Sequence, residues 1–228
     1  PSAFIMKHIK AKKKILSIHG VYSDQVKMLH SKLTGNLVTS KESQVLDWAD
    51  VLTTDSKYVQ LEYKKKLGKD FEYIPAPLDP KRFRNIPDVK KNQKQIVYVG
   101  RNSFEKGIDI LKKIEADING NVKYCTSLPW NKAMEILKAS QIFVLPSRVE
   151  SVPQSILEAF FLKIPVIATD VGGIHEIVIN NKTGLLITPN DSSELLDKIN
   201  YLLDDSELCN TLANNAYEFI TKNFSWEA

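Results

Sequence analysis

Residues 144 to 158 read VLPSRVESVPQSILE, and this stretch decides how the rest of the chain is read. It starts inside an apolar strand, Ile142-Phe143-Val144-Leu145, crosses a polar turn, and enters a helix that continues Ala159-Phe160-Phe161-Leu162. Ser151 and Gln154 stand at capping-box spacing and predict a helix from Ser151 to Leu162. Pro153 suits a first turn, where its missing N–H would go unpaired anyway. The backbone N–H groups of Val152, Gln154 and Ser155 then lie at the positive end of the helix dipole, placed for an anion. Glu150 precedes the cap and Glu158 follows about two turns later, an axial span of roughly 10–12 Å at the helical rise. That span matches a diphosphate with a sugar at one end and a ribose at the other, each carboxylate accepting from hydroxyls. The plainer alternative is a dipole partner at Glu150 and a surface carboxylate at Glu158. The helix is apolar on nearly every side, however, and a lone Glu on a buried helix needs a partner.

Outward from this stretch, short apolar strands alternate with helices. Strands are expected at Ile15 to Ile18, Val51 to Thr54, Phe71 to Ile74, Gln95 to Val99, Val122 to Tyr124, Ile142 to Leu145, Val166 to Ala168 and Leu185 to Ile187. Helices are expected at Ser40 to Ala49, from the cap Ser56 to Leu67 with Gly68 as stop, and from Gly107 to about Ala116. Further helices are expected at Trp130 to Ala139, Ile174 to Ile179, Ser192 to Leu203 and Ser206 to Phe224. Such alternation means a parallel sheet covered on both faces, an α/β fold, with ligands at the carboxyl ends of the strands. The proline-dense run Pro75 to Pro87 marks a boundary. The divisions expected are 1–82, 83–212 and a closing helical segment 213–228.

Two more strand ends carry candidate chemistry. Gly100-Arg101-Asn102-Ser103-Phe104-Glu105-Lys106-Gly107 follows a buried strand, and its two cations suit a diphosphate, Arg101 as a fork and Lys106 as a point charge. A solvated loop with a Glu105–Lys106 pair is the plainer reading. His19 ends the first strand, where it can face a ligand or serve a structural bond. His8, His30 and His175 have no metal-ligand spacing with one another or with Cys125 and Cys209. Gly172-Gly173 is a helix-entry turn rather than a dinucleotide fingerprint.

Composition narrows the classes. The chain has 228 residues, 43% hydrophobic and 25% charged, ordinary for a globular protein and against global disorder. Two cysteines cannot form a disulfide framework, which fits a reducing, cytoplasmic setting. No run approaches the ~18 apolar residues of a membrane span. A net charge of +4 does not mark a nucleic-acid binder. The cluster Lys7, His8, Lys10, Lys12, Lys13 and Lys14 is either a solvated helix end or a surface for anionic lipid. The start Pro1-Ser2-Ala3-Phe4 has no Met and no signal pattern, so a longer protein is expected around it.

Taken together, these motifs resemble the family 4 retaining glycosyltransferases of the GT-B fold. Glu150 and Glu158 match its E-x7-E pair, and Gly100-Arg101 with Lys106-Gly107 its phosphate loop. Residues 165–176, PVIATDVGGIHE, and Lys182-Thr183-Gly184-Leu185-Leu186 match further segments. The resemblance implies a Rossmann-like second domain and a partial first one, lacking roughly a hundred residues, about a small domain. It implies that Arg101 and Lys106 hold the donor diphosphate, that Glu158 binds the ribose, and that Glu150 binds the transferred sugar. It likens His19 to the active-site His near that sugar, Asp79-Pro80-x-x-Phe83 to the interdomain link, and Asn223-Phe224-Ser225-Trp226-Glu227 to the start of a last helix returning to the first domain. Ser151, Val152, Pro153, Gln154 and Ser155 join the donor-binding set. No cofactor or metal is implied: the nucleotide sugar, UDP- or GDP-linked, is a substrate, and a glycan or lipid-linked molecule the acceptor. Two departures bear on the fold and the base. The gap from Gly107 to Gln141 is short, so the sheet is expected to lack a strand. Cys125-Thr126-Ser127 replaces a glycine turn near Leu128 and Pro129, the positions considered for base contacts. The alternatives are a non-catalytic nucleotide-sugar-binding module, a nucleotide-sugar epimerase, or a phosphorylase, whose cofactor-lysine motif is not found. With so much of the first domain missing, this chain is expected to bind nucleotide and transfer sugar poorly.

Overall fold

The structure is a computed structural model that describes residues 7–29 and 32–224. The start at Pro1, His30 and the tail Ser225-Trp226-Glu227 lie outside the described residues. The chain divides into two compact units, Pro1–Pro75 and Ala76–Ala228.

In the first unit, β1 (Ile15–Ile18), β2 (Val51–Thr54) and β3 (Glu72–Tyr73) form a parallel sheet in that order. Helices α1 (Tyr22–Leu29), α2 (Lys32–Leu46) and α3 (Lys57–Leu67) connect them. The caps of α3 are those its sequence predicts. Ser56 Oγ accepts the Val59 N–H at 3.3 Å, and Gly68, in the left-handed conformation, donates its N–H to the Lys64 carbonyl at 3.0 Å. The core is small: Val21, Leu46, Leu52, Val59, Tyr63 and Phe71, the last two with rings stacked at 4.8 Å. The helix expected over Ser40 to Ala49 instead runs Lys32–Leu46, leaving Trp48 in the turn beyond it, and α1 was not expected at all. The two helices pack on each other, and tertiary packing overrides the poor propensity of a segment holding Gly35 and Thr39. The basic run from Lys7 to Lys13 is exposed, but it precedes β1 and is not the end of an α-helix.

In the second unit the element order is β4 (Gln95–Val99), α4 (Ile108–Ile114), β5 (Asn121–Cys125), α5 (Trp130–Ala139), β6 (Ile142–Leu145), α6 (Gln154–Phe161), β7 (Val166–Thr169), β8 (Leu185–Ile187), α7 (Ser192–Asp204) and α8 (Ser206–Asn223). The five strands are all parallel, in the order β5-β4-β6-β7-β8. Every residue of β6 and β7 is buried, as are Ile96, Val97 and Tyr98 of β4, because helices cover both faces. This is the α/β class read from the sequence. Helix α8 packs on α6, and the Phe224 carbonyl just beyond it accepts the Leu78 N–H at 2.7 Å, closing the second unit on its own beginning. The helix expected over Ile174 to Ile179 is a single 3-10 turn, Ile174–Glu176. No helix among the described residues is long and apolar enough to cross a membrane.

Candidate functional site

Chain direction reverses its course across the second sheet at β4: the chain moves to β5 on one side, then returns past β4 to β6 on the other. Open parallel sheets bind ligands in the crevice at such a switch point, beyond the carboxyl ends of the strands. Here that crevice lies between the loop after β4 and the loop after β6. The two loops are fastened together. The Arg148 N–H donates to the Glu105 carbonyl at 2.8 Å. The Arg148 guanidinium forks onto Asp109 at 2.7 and 2.8 Å, reaches the Phe104 carbonyl at 2.6 Å, and lies 3.8 Å from the centre of the Phe104 ring. The fork holds the Asp109 carboxyl below its ordinary range, mainly through its hydrogen bonds. Gly107 permits the close approach. It sits at φ +66°, and a Cβ there would lie 1.8 Å from the Pro146 carbonyl oxygen.

Across this seam Lys106 meets Glu150. Lys106 Nζ stands 2.7 Å from Glu150 Oε1, and Ser147 Oγ donates to the same oxygen at 2.7 Å. Neither bond uses Oε2. The Glu150 side chain is only 6% exposed and that of Lys106 20%. Behind them Gly172, at φ +56°, lets the loop after β7 press on Glu150, where a Cβ would come within 1.9 Å of its carbonyl oxygen. Arg101 reaches outward, its side chain 74% exposed, with Glu105 Oε1 at 3.1 Å from its guanidinium. Its carbonyl is pinned by the Tyr98 hydroxyl at 2.7 Å.

Helix α6 starts three residues later than expected. Its first residue is Gln154 and Pro153, not Ser151, occupies the cap position. Ser151, Val152 and Pro153 are buried in the bend before the helix. The first intrahelical-type bond runs from the Ile156 N–H to the Pro153 carbonyl at 3.1 Å. The N–H groups at the positive helix end are therefore those of Gln154 and Ser155, without Val152. The helical rise also cannot be extended back to Glu150, which lies outside the helix, so the 10–12 Å span has no basis in α6.

Glu158 lies in the second turn of α6, 7% exposed. Trp130, the first residue of α5, donates its indole N–H to Glu158 Oε1 at 2.6 Å. Burial pushes the Glu158 carboxyl up, opposed by the indole bond and by the charge of Arg82. The Arg82 guanidinium lies 4.4 Å from the Trp130 ring centre, and Phe83 meets that ring edge-on at 5.3 Å. Both belong to the Pro80–Phe83 turn, capped by Asp79.

In the first unit His19 follows β1. Its Nδ1 stands 2.7 Å from Asp55 Oδ2 and its Nε2 3.2 Å from Ser17 Oγ. Asp55, just after β2, is buried, while the imidazole is 64% exposed. Among the residues expected from sequence, Lys106 and Glu150 come into contact; Arg101 lies in the same loop as Lys106, and Gln154 and Ser155 open the helix that follows the Glu150 loop. Ser147, Arg148, Trp130, Arg82 and Asp55 were not expected. Ser147 and Arg148 stood inside the deciding stretch, and their only signal was their place directly after a buried strand. Leu128, weighed as a base contact, is exposed. Among the described residues, no group of three or more His, Cys, Asp and Glu could hold a metal ion.

An open parallel sheet with its loops gathered at the switch point is the Rossmann-like architecture, and known proteins place it more closely. Residues 111–219 match the family described as Glycosyl transferases group 1. An uncharacterized glycosyltransferase of Methanocaldococcus jannaschii is 34% identical over 151 residues, covering 65% of this chain and 35% of that protein. Sucrose-phosphate synthase from Thermosynechococcus elongatus has the same fold at TM-score 0.81 and 20% identity, over 98% of this chain and 67% of that one. Anabaena HepE in complex with UDP-glucose superposes at TM-score 0.76 and 18% identity, over 92% and 68%. The fold is of the GT-B type, and the second unit is similar in sequence to group 1 glycosyltransferases. The match spans only about a third of the length of the Methanocaldococcus relative.

Proposed function

We propose that this chain is the donor-binding part of a glycosyltransferase that moves a sugar from a UDP- or GDP-linked donor to a glycan or lipid-linked acceptor. The observation that carries the reading is the Lys106–Glu150 contact, which joins the loop after β4, where Arg101 also lies, to the loop after β6 that leads into Gln154 and Ser155. In the transfer, the bond from the anomeric carbon to the diphosphate oxygen breaks, the acceptor oxygen takes its place, and the acceptor's proton passes to the departing diphosphate oxygen. Negative charge gathers on the leaving diphosphate. Arg101, Lys106 and the start of α6 are the groups to receive it, and fixed donors of this kind stabilise developing charge without a metal. Glu150 is assigned to the transferred sugar and Glu158 to the ribose. Ser151, Val152 and Pro153 shape the bend that presents Gln154. His19, held by Asp55, is assigned to the donor sugar on the resemblance alone. Retention at the anomeric carbon belongs to the same reading, as does a peripheral contact of Lys7 to Lys14 with anionic lipid on the cytoplasmic side.

Calorimetry with UDP, GDP and their glucose and mannose conjugates tests the assignment. Glu158→Ala should weaken the bare nucleoside diphosphate about tenfold, the worth of one charge-assisted hydrogen bond. Glu150→Ala should not weaken it, since Lys106 is then freed for the diphosphate, and should weaken only the sugar conjugate. Equal effects of both variants on both ligands would overturn the assignment, and no binding by the wild type would overturn the donor site.

A further inference from the structure

We propose that Trp130 is a positioning residue for the ribose: its indole N–H holds one oxygen of Glu158, so that the carboxylate presents its other oxygen, Oε2, to the sugar hydroxyls. The inference rests on the donor-site reading and assigns a role to a residue outside every motif matched in the sequence.

An ionised carboxylate accepts about four hydrogen bonds and donates none. Among the described residues, Glu158 has one hydrogen-bond donor, Trp130, and it falls on Oε1 at 2.6 Å. Arg82 acts on the carboxylate through its charge. A buried carboxylate with so few bonds has capacity left over. A ribose, with two adjacent hydroxyls, matches that capacity in number and polarity.

The indole is itself held in place. The Arg82 guanidinium covers it at 4.4 Å, Phe83 meets it edge-on at 72°, and Phe83 packs 4.5 Å from Phe161 on α6. Cation–π and edge-to-face contacts of this kind fix a ring's plane. The N–H therefore points at Oε1 before any ligand arrives, and the carboxylate plane is set in advance. Placement is sound as well. Trp130 opens α5 beyond the carboxyl end of β5, and Glu158 lies on α6 beyond the carboxyl end of β6. Both stand at the ligand end of the sheet.

A Trp130 that only satisfied a buried carboxylate would affect stability and would weaken all nucleotides alike. A positioning Trp130 affects the ribose alone. The test is calorimetry of the whole chain with UDP, GDP and their 2′,3′-dideoxy forms, on wild type and Trp130→Phe. The wild type should prefer the ribose form. Trp130→Phe keeps a ring and loses the N–H, and should weaken the ribose form about fivefold to tenfold with the dideoxy form unchanged. Loss of both forms by one factor, or of neither, overturns the proposal. The wild-type protein supplies a second measurement, should the variant fold poorly. Its Trp130 indole resonance in a ¹H–¹⁵N spectrum should move with UDP or GDP and stay still with the dideoxy form. Movement with both forms, or with neither, counts against the proposal. Binding without ribose preference in the wild type removes this inference and leaves the donor site standing; absence of binding by UDP and GDP removes both.

Discussion

Replacing Lys106 by Met is the sharpest perturbation of the site, because it removes one charge and keeps most of the side-chain stem. Lys106 Nζ and Ser147 Oγ are the two partners of Glu150 Oε1, each at 2.7 Å, and the carboxylate is 6% exposed. In Lys106→Met that carboxylate keeps only a neutral hydroxyl. Breaking a buried ion pair from one side costs about 3–5 kcal/mol. Lys106 is itself one-fifth exposed and the hydroxyl remains, so the lower end, about 3 kcal/mol, is expected. In a domain of roughly 150 residues each kcal/mol moves the melting temperature by about 2–4 °C, which gives a drop of ~6–12 °C. Adding Glu150→Gln to Lys106→Met removes the stranded charge and should recover most of the drop. Differential scanning calorimetry at pH 7.5 measures both the drop and its recovery. A melt within about 1 °C of wild type at pH 7.5, or a double variant no better than the single one, would refute the claim that the pair is buried and coupled.

Two further outcomes are expected. Gly107→Ala should melt well below Gly68→Ala, though both glycines are left-handed, because a Cβ at Gly107 strikes the Pro146 carbonyl while one at Gly68 meets nothing within 4 Å; Gly68→Ala should lose only about 1–2 kcal/mol of backbone strain, and parallel melts decide it. Glu158→Gln should be at least as stable as wild type near pH 7 yet bind nucleoside diphosphate more weakly, because burial raises the Glu158 carboxyl and ionising it costs the fold stability as pH rises; thermal melts paired with calorimetry would expose a loss or a gain in both.

The parts of the fold most legible in the sequence were those governed by local rules. Trp130–Ala139, Ile142–Leu145 and Leu185–Ile187 appear at the expected bounds because each is a short apolar or amphipathic run between clear breakers. Ser56 and Gly68 announce both ends of α3 for the same reason. The failures are non-local. Helices α1 and α2 stabilise each other by packing together, which no window of sequence reveals. At α6 the pattern Ser151-x-x-Gln154 was present, yet Pro153 holds the cap. Val152 and Pro153 are buried in the bend that follows Glu150, on which Gly172 closes, and the chain becomes helical only afterwards. Within the site, the residue types were legible and the pairings were not. Arg101 and Lys106 read alike as cations in one loop, yet one is exposed and the other lies across a seam against Glu150. Trp130 looked like a helix start because its partner is 28 residues away.

Those pairings bear on how the crevice would take up a diphosphate. Arg101 pairs with Glu105 and Lys106 with Glu150, so two cations face two carboxylates and their formal charges cancel. Without ligand the site is therefore not a strong positive patch, and long-range attraction of an anion has to come from the start of α6 and from the +4 of the whole chain. Binding would then be an exchange of partners. Lys106 swings from a carboxylate to a phosphate oxygen, and Glu150 is released toward a sugar hydroxyl, with Ser147 still holding Oε1. The exchange costs least when both halves of the ligand arrive together, because a bare diphosphate takes the cation and leaves Glu150 with only Ser147. An intact nucleotide sugar supplies the anion and the hydroxyl at once. On the proposed donor reading, the buried Lys106–Glu150 pair would thereby favour the whole donor over its product and would couple release of the diphosphate to re-formation of the pair.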